Sequence, residues 1–248
     1  MKNQYNIDTA FFQTYKGEFA TEATFVAFIG CEQLEIKCVK FELADIATLD
    51  ITKNTPVFGG ITAIRYALTQ IGIKPPEPLD IPEELVPYTG RDIQFNTLGY
   101  LMENGKFPLF VKPRKAKLFV GMIVSSPDEL SYLSQLDLAG DEQDLIASSV
   151  VKFIAEFRVF VANGEIYDCR SYSGKWNVVP DFGFIEETIK NYKSAPDGYV
   201  IDFGVTDTGK TLLVEANDGY SFGSYGLNPT AYIKISMARW NQIVGLNN

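Results

Sequence analysis

Two carboxylates and an amide on one hairpin are the first sign of chemistry in this chain. The stretch Gly198 to Tyr225 reads G-Y-V-I-D-F-G-V-T-D-T-G-K-T-L-L-V-E-A-N-D-G-Y-S-F-G-S-Y. Two apolar runs, Tyr199–Val205 and Thr211–Asn217, flank a polar turn, which is a hairpin pattern. With Asp207–Lys210 as a four-residue loop, Asp202 lies opposite Glu215, and Asn217 follows on the same face. Ile201, Phe203, Val205, Val214 and Ala216 then form the core face. Like charges directly opposed destabilise a sheet. A shared Mg²⁺ resolves the repulsion, since it takes oxygen ligands from a few carboxylates plus phosphates. The alternative is that both acids are exposed or pair with Lys or Arg.

The cations stand elsewhere. Lys112 sits inside the apolar run Leu109-Phe110-Val111-Lys112, followed by Arg114, Lys115 and Lys117. A lysine in such a run either snorkels from an edge or aims its ammonium at a phosphate. The cluster is out of character in an acidic chain and suits a polyanionic ligand. Arg158 lies mid-strand in Glu156-Phe157-Arg158-Val159-Phe160, and Asn163-Gly164 turns that strand back toward Arg170. A two-residue turn puts Arg158 opposite Cys169, whereas a one-residue bulge brings both arginines to one face. The partner of Arg158 is either a nearby acid, Glu156 or Asp168, or a phosphate in an open cleft.

Several elements must position these groups. Residues 24–30, T-F-V-A-F-I-G, read as a buried strand, and Leu34–Leu43 as another. Gly59-Gly60 precedes a helix carrying Ile61, Ile64, Leu68 and Ile71 at helical spacing. The proline-rich segment Lys74–Pro87 reads as an extended linker. A helix is expected over Phe95–Glu103, and Pro108 to Val124 reads as strand, basic turn, strand. Ser126-Pro127-Asp128-Glu129 is a capping box that opens a helix. Asp141–Ser148 reads as a short helix, and further helices are expected from about Asp181 and from Pro229 to about Val244. The loop Tyr220–Tyr225 either lines an acceptor site or packs in the core.

Composition excludes several classes. The chain has 248 residues, no histidine and a formal charge of −9. Triads and metal sites built on histidine are therefore excluded. The three cysteines show no C-x-x-C spacing, so they read as free thiols and zinc is not expected. The acidic balance argues against general nucleic-acid binding. No run approaches the ~18 apolar residues of a membrane span, and the N-terminus lacks a signal-like apolar core. A cytoplasmic protein is the expectation.

Three motifs stand in fixed order: F-V-K-P-x-x-x-K-x-F-x-G, then E-F-R-V-F-V-x-N-G-E-I with a trailing C-R, then V-I-D-F-G-V…L-V-E-A-N-D-G. Together they resemble the ATP-grasp superfamily, and most closely its clade named for two arginines and a lysine. The resemblance implies an α+β fold in which two lobes hold ATP between antiparallel sheets. It implies an α/β domain over 1–106 and grasp lobes over 107–248, the small lobe at about 107–150 and the large lobe at 151–248. Lys112 and Lys117 are then expected at the nucleotide phosphates. Val151, Phe153, Ile154 and Glu156 are expected near the adenine and hinge. Arg158, Arg170 and Lys117 would be the catalytic cations, and Asp202, Glu215 and Asn217 the Mg²⁺ ligands. One departure is that Arg114-Lys115-Ala116-Lys117 stands where many members carry a glycine-rich loop. The implied reaction joins a small-molecule or peptide carboxylate to an amine through an acyl-phosphate, releasing ADP. A kinase and a non-enzymatic nucleotide-binding module are the two rival readings.

Overall fold

The computed structural model describes residues 5, 7, 9–114, 119–135 and 142–246. Among these, three four-stranded sheets divide the chain into three units. In the first, β1 (Thr9–Tyr15) pairs in parallel with β3 (Lys37–Glu42) and β4 (Val57–Phe58), and antiparallel with β2 (Glu18–Phe19). Helices α1 (Glu22–Gln33) and α2 (Ile61–Gln70) complete this α/β unit. The run 24–30, expected as a strand, lies within α1. The Thr21 hydroxyl accepts from the Thr24 amide and starts the helix, as an N-cap does. Apolar side chains on most sides of α1 hide its period, and an apolar run of this length does not separate helix from strand.

The second unit is an antiparallel sheet in the order β5-β8-β6-β7. Its elements are β5 (Ile93–Thr97), α3 (Leu98–Asn104), β6 (Leu109–Pro113), β7 (Met122–Val124), α4 (Pro127–Gln135) and β8 (Asp144–Ser149). Two expectations change here. The helix predicted over Phe95–Glu103 is a strand running into a helix capped by Thr97. The short helix predicted over Asp141–Ser148 is the central strand β8, buried on both sides between β5 and β6. Because β5 belongs to this sheet, the unit begins before residue 107.

The third unit is antiparallel throughout, in the order β10-β9-β11-β12. It comprises β9 (Phe153–Ala162), β10 (Glu165–Gly174), α5 (Phe182–Asn191), β11 (Gly198–Thr206), β12 (Thr211–Asp218) and α6 (Pro229–Val244). Asn163 and Gly164 both take positive φ, 51° and 77°, as the tight β9–β10 turn requires. One face of the sheet packs Val159, Val161, Ile201 and Phe203 against Ile185 and Ile189 of α5. The other face sends Phe160, Ala162 and Val200 into a core shared with α6 and the first unit.

The predicted linker is pinned rather than free. Ile81 and Leu85 are buried, and Leu85 joins the core under α5. A 3-10 turn, Glu83–Thr89, follows and ends at Gly90 in the left-handed region.

Helices α1 and α6 touch through Gly30. A Cβ there would overlap the carbonyl oxygen of Pro229 and the side chain of Ile233. Gly30→Ala is therefore expected to cost about 1–3 kcal/mol in urea unfolding, as overpacking does. An unchanged midpoint would argue against the shared core.

Candidate active site

The site is built on the face of the third sheet that looks away from α5. Its register depends on a bulge. Near the turn, Val205 pairs with Thr211 and Phe203 with Leu213, but Asp202 pairs with Glu215. Val214 is the extra residue. Without it, Asp202 would face Val214. The expected pairing of Asp202 with Glu215 is present, but Leu213 replaces Val214 in the core. Arg91 holds the bulge, its Nη2 donating to the carbonyls of Leu213 (3.1 Å) and Val214 (2.7 Å). Asn217 Nδ2 donates to Glu215 Oε1 at 3.0 Å, so these two share the face as well.

A second bulge decides the arginines. Tyr167 is extra in β10, which places Arg170 directly across from Arg158. Their fates differ. Arg170 is exposed and pairs with Asp168 two residues back (2.8 Å). Arg158 is buried, 8 % exposed. Its Nε and Nη2 grip both carboxylate oxygens of Asp202 at 2.8 and 2.7 Å. The acid that partners Arg158 is thus Asp202, rather than the expected Glu156 or Asp168. Sequence reasoning missed this pairing because the two residues are 44 apart and meet only through the β9–β11 register. The guanidinium also lies 4.9 Å from the Tyr225 ring and 5.8 Å from that of Tyr172, and these two rings stack. The loop 220–225 therefore divides its roles: Tyr220 and Phe222 are core, while Tyr225 covers Arg158. Ser224 anchors the loop by donating to Glu22 of α1 at 2.6 Å.

The second unit contributes Lys112 from β6. Its ammonium pairs with Glu215 Oε2 at 2.9 Å and with Asp80 Oδ1. Asp80 comes from the proline-rich segment and was missed. Its backbone carbonyl accepts from the Ala216 amide, between Glu215 and Asn217, and it takes a positive φ of 54°. The available signal was an aspartate in an acidic, proline-rich segment, which marks a turn but not this partner. Arg91 was missed too, since nothing local marks an arginine beside Gly90 as a partner of β12.

Three residues, Val150–Lys152, join β8 to β9. Beyond them Phe153 lies over Gly204, where a Cβ would overlap its ring. Glu156, across from Gly204, accepts from the Tyr172 hydroxyl at 2.7 Å. Ile154 is tied to the chain after β10 through its carbonyl, which accepts from Lys175 N at 2.8 Å. Val151 is half-buried in the joint. Lys117 and Lys115 lie outside the described residues, and Arg114 stacks on Phe95 within the second unit.

Burial sets the electrostatics. It pushes the Asp202 carboxyl up to about 6, with Glu215 and Glu156 adding to the push and Arg158 opposing it. Burial works the same way on Glu215, but Lys112, Asn217 and Arg158 outweigh it and hold that carboxyl below its usual range. Burial lowers Lys112, and Glu215 with Asp80 more than reverse this. At Asp80 burial wins over Lys112 and the carboxyl is raised.

The donor set suits a hard divalent cation: two carboxylates and an amide on one face, with room in the usual Mg²⁺ shell for phosphate oxygens. Among the described residues no cluster of three or more carboxylate or cysteine ligands occurs. Each oxygen of Asp202 and Glu215 here accepts from a cation or from Asn217.

The three sheets and their order match the ATP-grasp fold. D-alanine–D-alanine ligase from Bacillus anthracis, solved with ATP, superposes with a TM-score of 0.59 at 14 % identity, covering 96 % of each chain. N5-carboxyaminoimidazole synthetase from Staphylococcus aureus gives 0.61 at 9 %, over 94 % of this chain and 77 % of that one. L-amino acid ligase from Bacillus licheniformis gives 0.58 at 11 %, over 96 % and 74 %. The profile of the ATP-grasp domain, R2K clade family 2, matches residues 88–235. The chain belongs to that ATP-grasp family. Sequence comparison finds no match among curated proteins.

Two outcomes are expected. Arg158→Ala should cost about 3–5 kcal/mol in urea unfolding, because it strands the buried Asp202 carboxylate. A loss under 1 kcal/mol would mean that the fork contributes little. The second concerns pH. A carboxyl near 6 in the fold against ~3.9 unfolded binds its proton more tightly when folded. Its contribution is present below pH ~4 and is lost as pH rises to about 6, roughly 3 kcal/mol in all. Asp202→Asn should lower stability overall yet flatten that fall, as read by urea unfolding at stepped pH. An unaltered slope would place the titration elsewhere.

Proposed function

We propose that this chain is an ATP-dependent carboxylate–amine ligase working through an acyl-phosphate. The observation that carries the reading is Lys112, which crosses from the second unit to Glu215 on the third beside the Arg158–Asp202 fork. Cations and carboxylates from two sheets meet at the joint where the family holds its nucleotide. The absence of histidine fits, since this chemistry needs positioning and charge neutralisation rather than a histidine base. The ligases among the fold relatives support the same class.

Lys112 and the second unit bind the phosphates, and Phe153, Ile154, Val151 and Glu156 line the adenine end. Arg158, Arg170 and Lys117 are the cations that serve the transferring phosphoryl group. Asp202, Glu215 and Asn217 would hold Mg²⁺, which neutralises phosphate charge when bound. A substrate carboxylate oxygen takes the γ-phosphoryl group and ADP leaves. The amine then attacks the acyl carbon, phosphate leaves with the C–O bond, and the nitrogen gives up a proton. Tyr225 and Tyr172, stacked over Arg158, form an aromatic wall beside the acceptor. The substrates are a small-molecule or peptide acid and an amine, and the setting is cytoplasmic. No described helix is long and apolar enough to cross a membrane.

Product analysis tests the reaction. With amino acids and short peptides as acid and amine, ADP should form only when both are present, at least ~10-fold above ATP alone. AMP with pyrophosphate would overturn the acyl-phosphate route, and amine-independent phosphorylated product would make the protein a kinase.

A further inference from the structure

We infer that Asp80 is a positioning residue that sets the dependence of nucleotide binding on a divalent cation. The inference rests on the nucleotide-site reading above and adds a residue to it. Asp80 belongs to neither of the two strands that carry Glu215 and Lys112, yet its carboxylate pairs with the same Lys112 ammonium as Glu215 does. Three constraints hold it there. Its carbonyl is bonded to Ala216 N at 2.6 Å, its φ is 54°, and its neighbour Ile81 is buried. A non-glycine residue at such a φ persists when its surroundings over-determine it. The Asp80 side chain is 17 % exposed and that of Lys112 15 %, so water screens the pair poorly.

The consequence lies in the charge count. Lys112 and Arg91 face Asp80 and Glu215, and Arg158 faces Asp202. With Glu156 acting on Asp202 as well, the carboxylates match or outnumber these three cations, so the cluster offers no excess positive charge to a polyphosphate. An ammonium has three donors. Two are spent on carboxylates and one remains for a phosphate oxygen. Asp80 thus fixes where Lys112 points while cancelling its attraction for ATP. A nucleotide whose charge is reduced by a bound divalent cation is accepted, and free ATP is disfavoured. Removing the Asp80 charge leaves one uncompensated cation within a few ångströms of the phosphates. At an effective dielectric near 20 the bare attraction exceeds ~100-fold; salt screening reduces it, leaving a gain of at least about tenfold for free ATP.

Isothermal titration calorimetry on the full chain tests this, with ATP in EDTA and with ATP plus MgCl₂. The wild-type protein should bind Mg-ATP at least ~30-fold more tightly than free ATP. Asp80→Asn should gain at least about tenfold for free ATP and less for Mg-ATP, which keeps about half the negative charge, so the ratio narrows. A merely structural residue would weaken both together. Asp80→Glu keeps the charge and should keep the wild-type ratio within about threefold; it carries the test if Asp80→Asn does not fold. Equal binding of both ligands by the wild type, an unchanged ratio in Asp80→Asn, or a narrowed ratio in Asp80→Glu each overturns the inference. A wild type that binds Mg-ATP no better than Lys112→Ala instead rejects the nucleotide site, and the inference with it.

Discussion

Buried charge must be compensated, and that constraint organises this structure. Lys112 leaves one sheet and is neutralised by Glu215 on another and by Asp80 on the segment between. Arg158 is neutralised by Asp202 from the neighbouring strand. Either cation alone in its surroundings would cost several kcal/mol. The strand registers follow from this need. Val214 bulges so that Glu215 stands beside Asp202, within reach of Lys112, and Arg91 satisfies the carbonyls that the bulge exposes.

The same pairs explain how a sheet face assembled from couples of like charge stays folded. Arg158 and Arg170 are opposite each other, as are Asp202 and Glu215. In a two-stranded context each couple would repel. Across four strands the row runs Arg170, Arg158, Asp202, Glu215, so the two like-charged couples meet at an attractive central pair, Arg158 with Asp202. Tyr172 and Tyr225 close it on one side, where the arginine plane meets aromatic faces rather than water.

Much of the fold was legible in the sequence. The hairpins were, because Asn163-Gly164 and the polar turn at 207–210 demand particular backbone shapes. Helices α2, α4, α5 and α6 were, through period and caps. The failures share a cause. The run at 24–30 and the strand β8 are apolar on most sides, and periodicity cannot separate a strand from a helix when burial is uniform. The shared face of Asp202, Glu215 and Asn217 was legible from the short loop, although the bulge at Val214 that sets the register was not. The Arg158–Asp202 fork and the roles of Asp80 and Arg91 were not. They join residues from 32 to 123 positions apart, and no local pattern reports such a meeting.

The first unit and the third share one core through α1, α6 and the sheet face carrying Phe160 and Val200, whereas the second keeps a core of its own. The chain enters the second unit once, from the segment near Asp80, and leaves it once, through Val150–Lys152. Lys112 belongs to the unit with its own core and its two acids lie outside that unit, so charge as well as chain connectivity ties the second unit to the rest of the molecule.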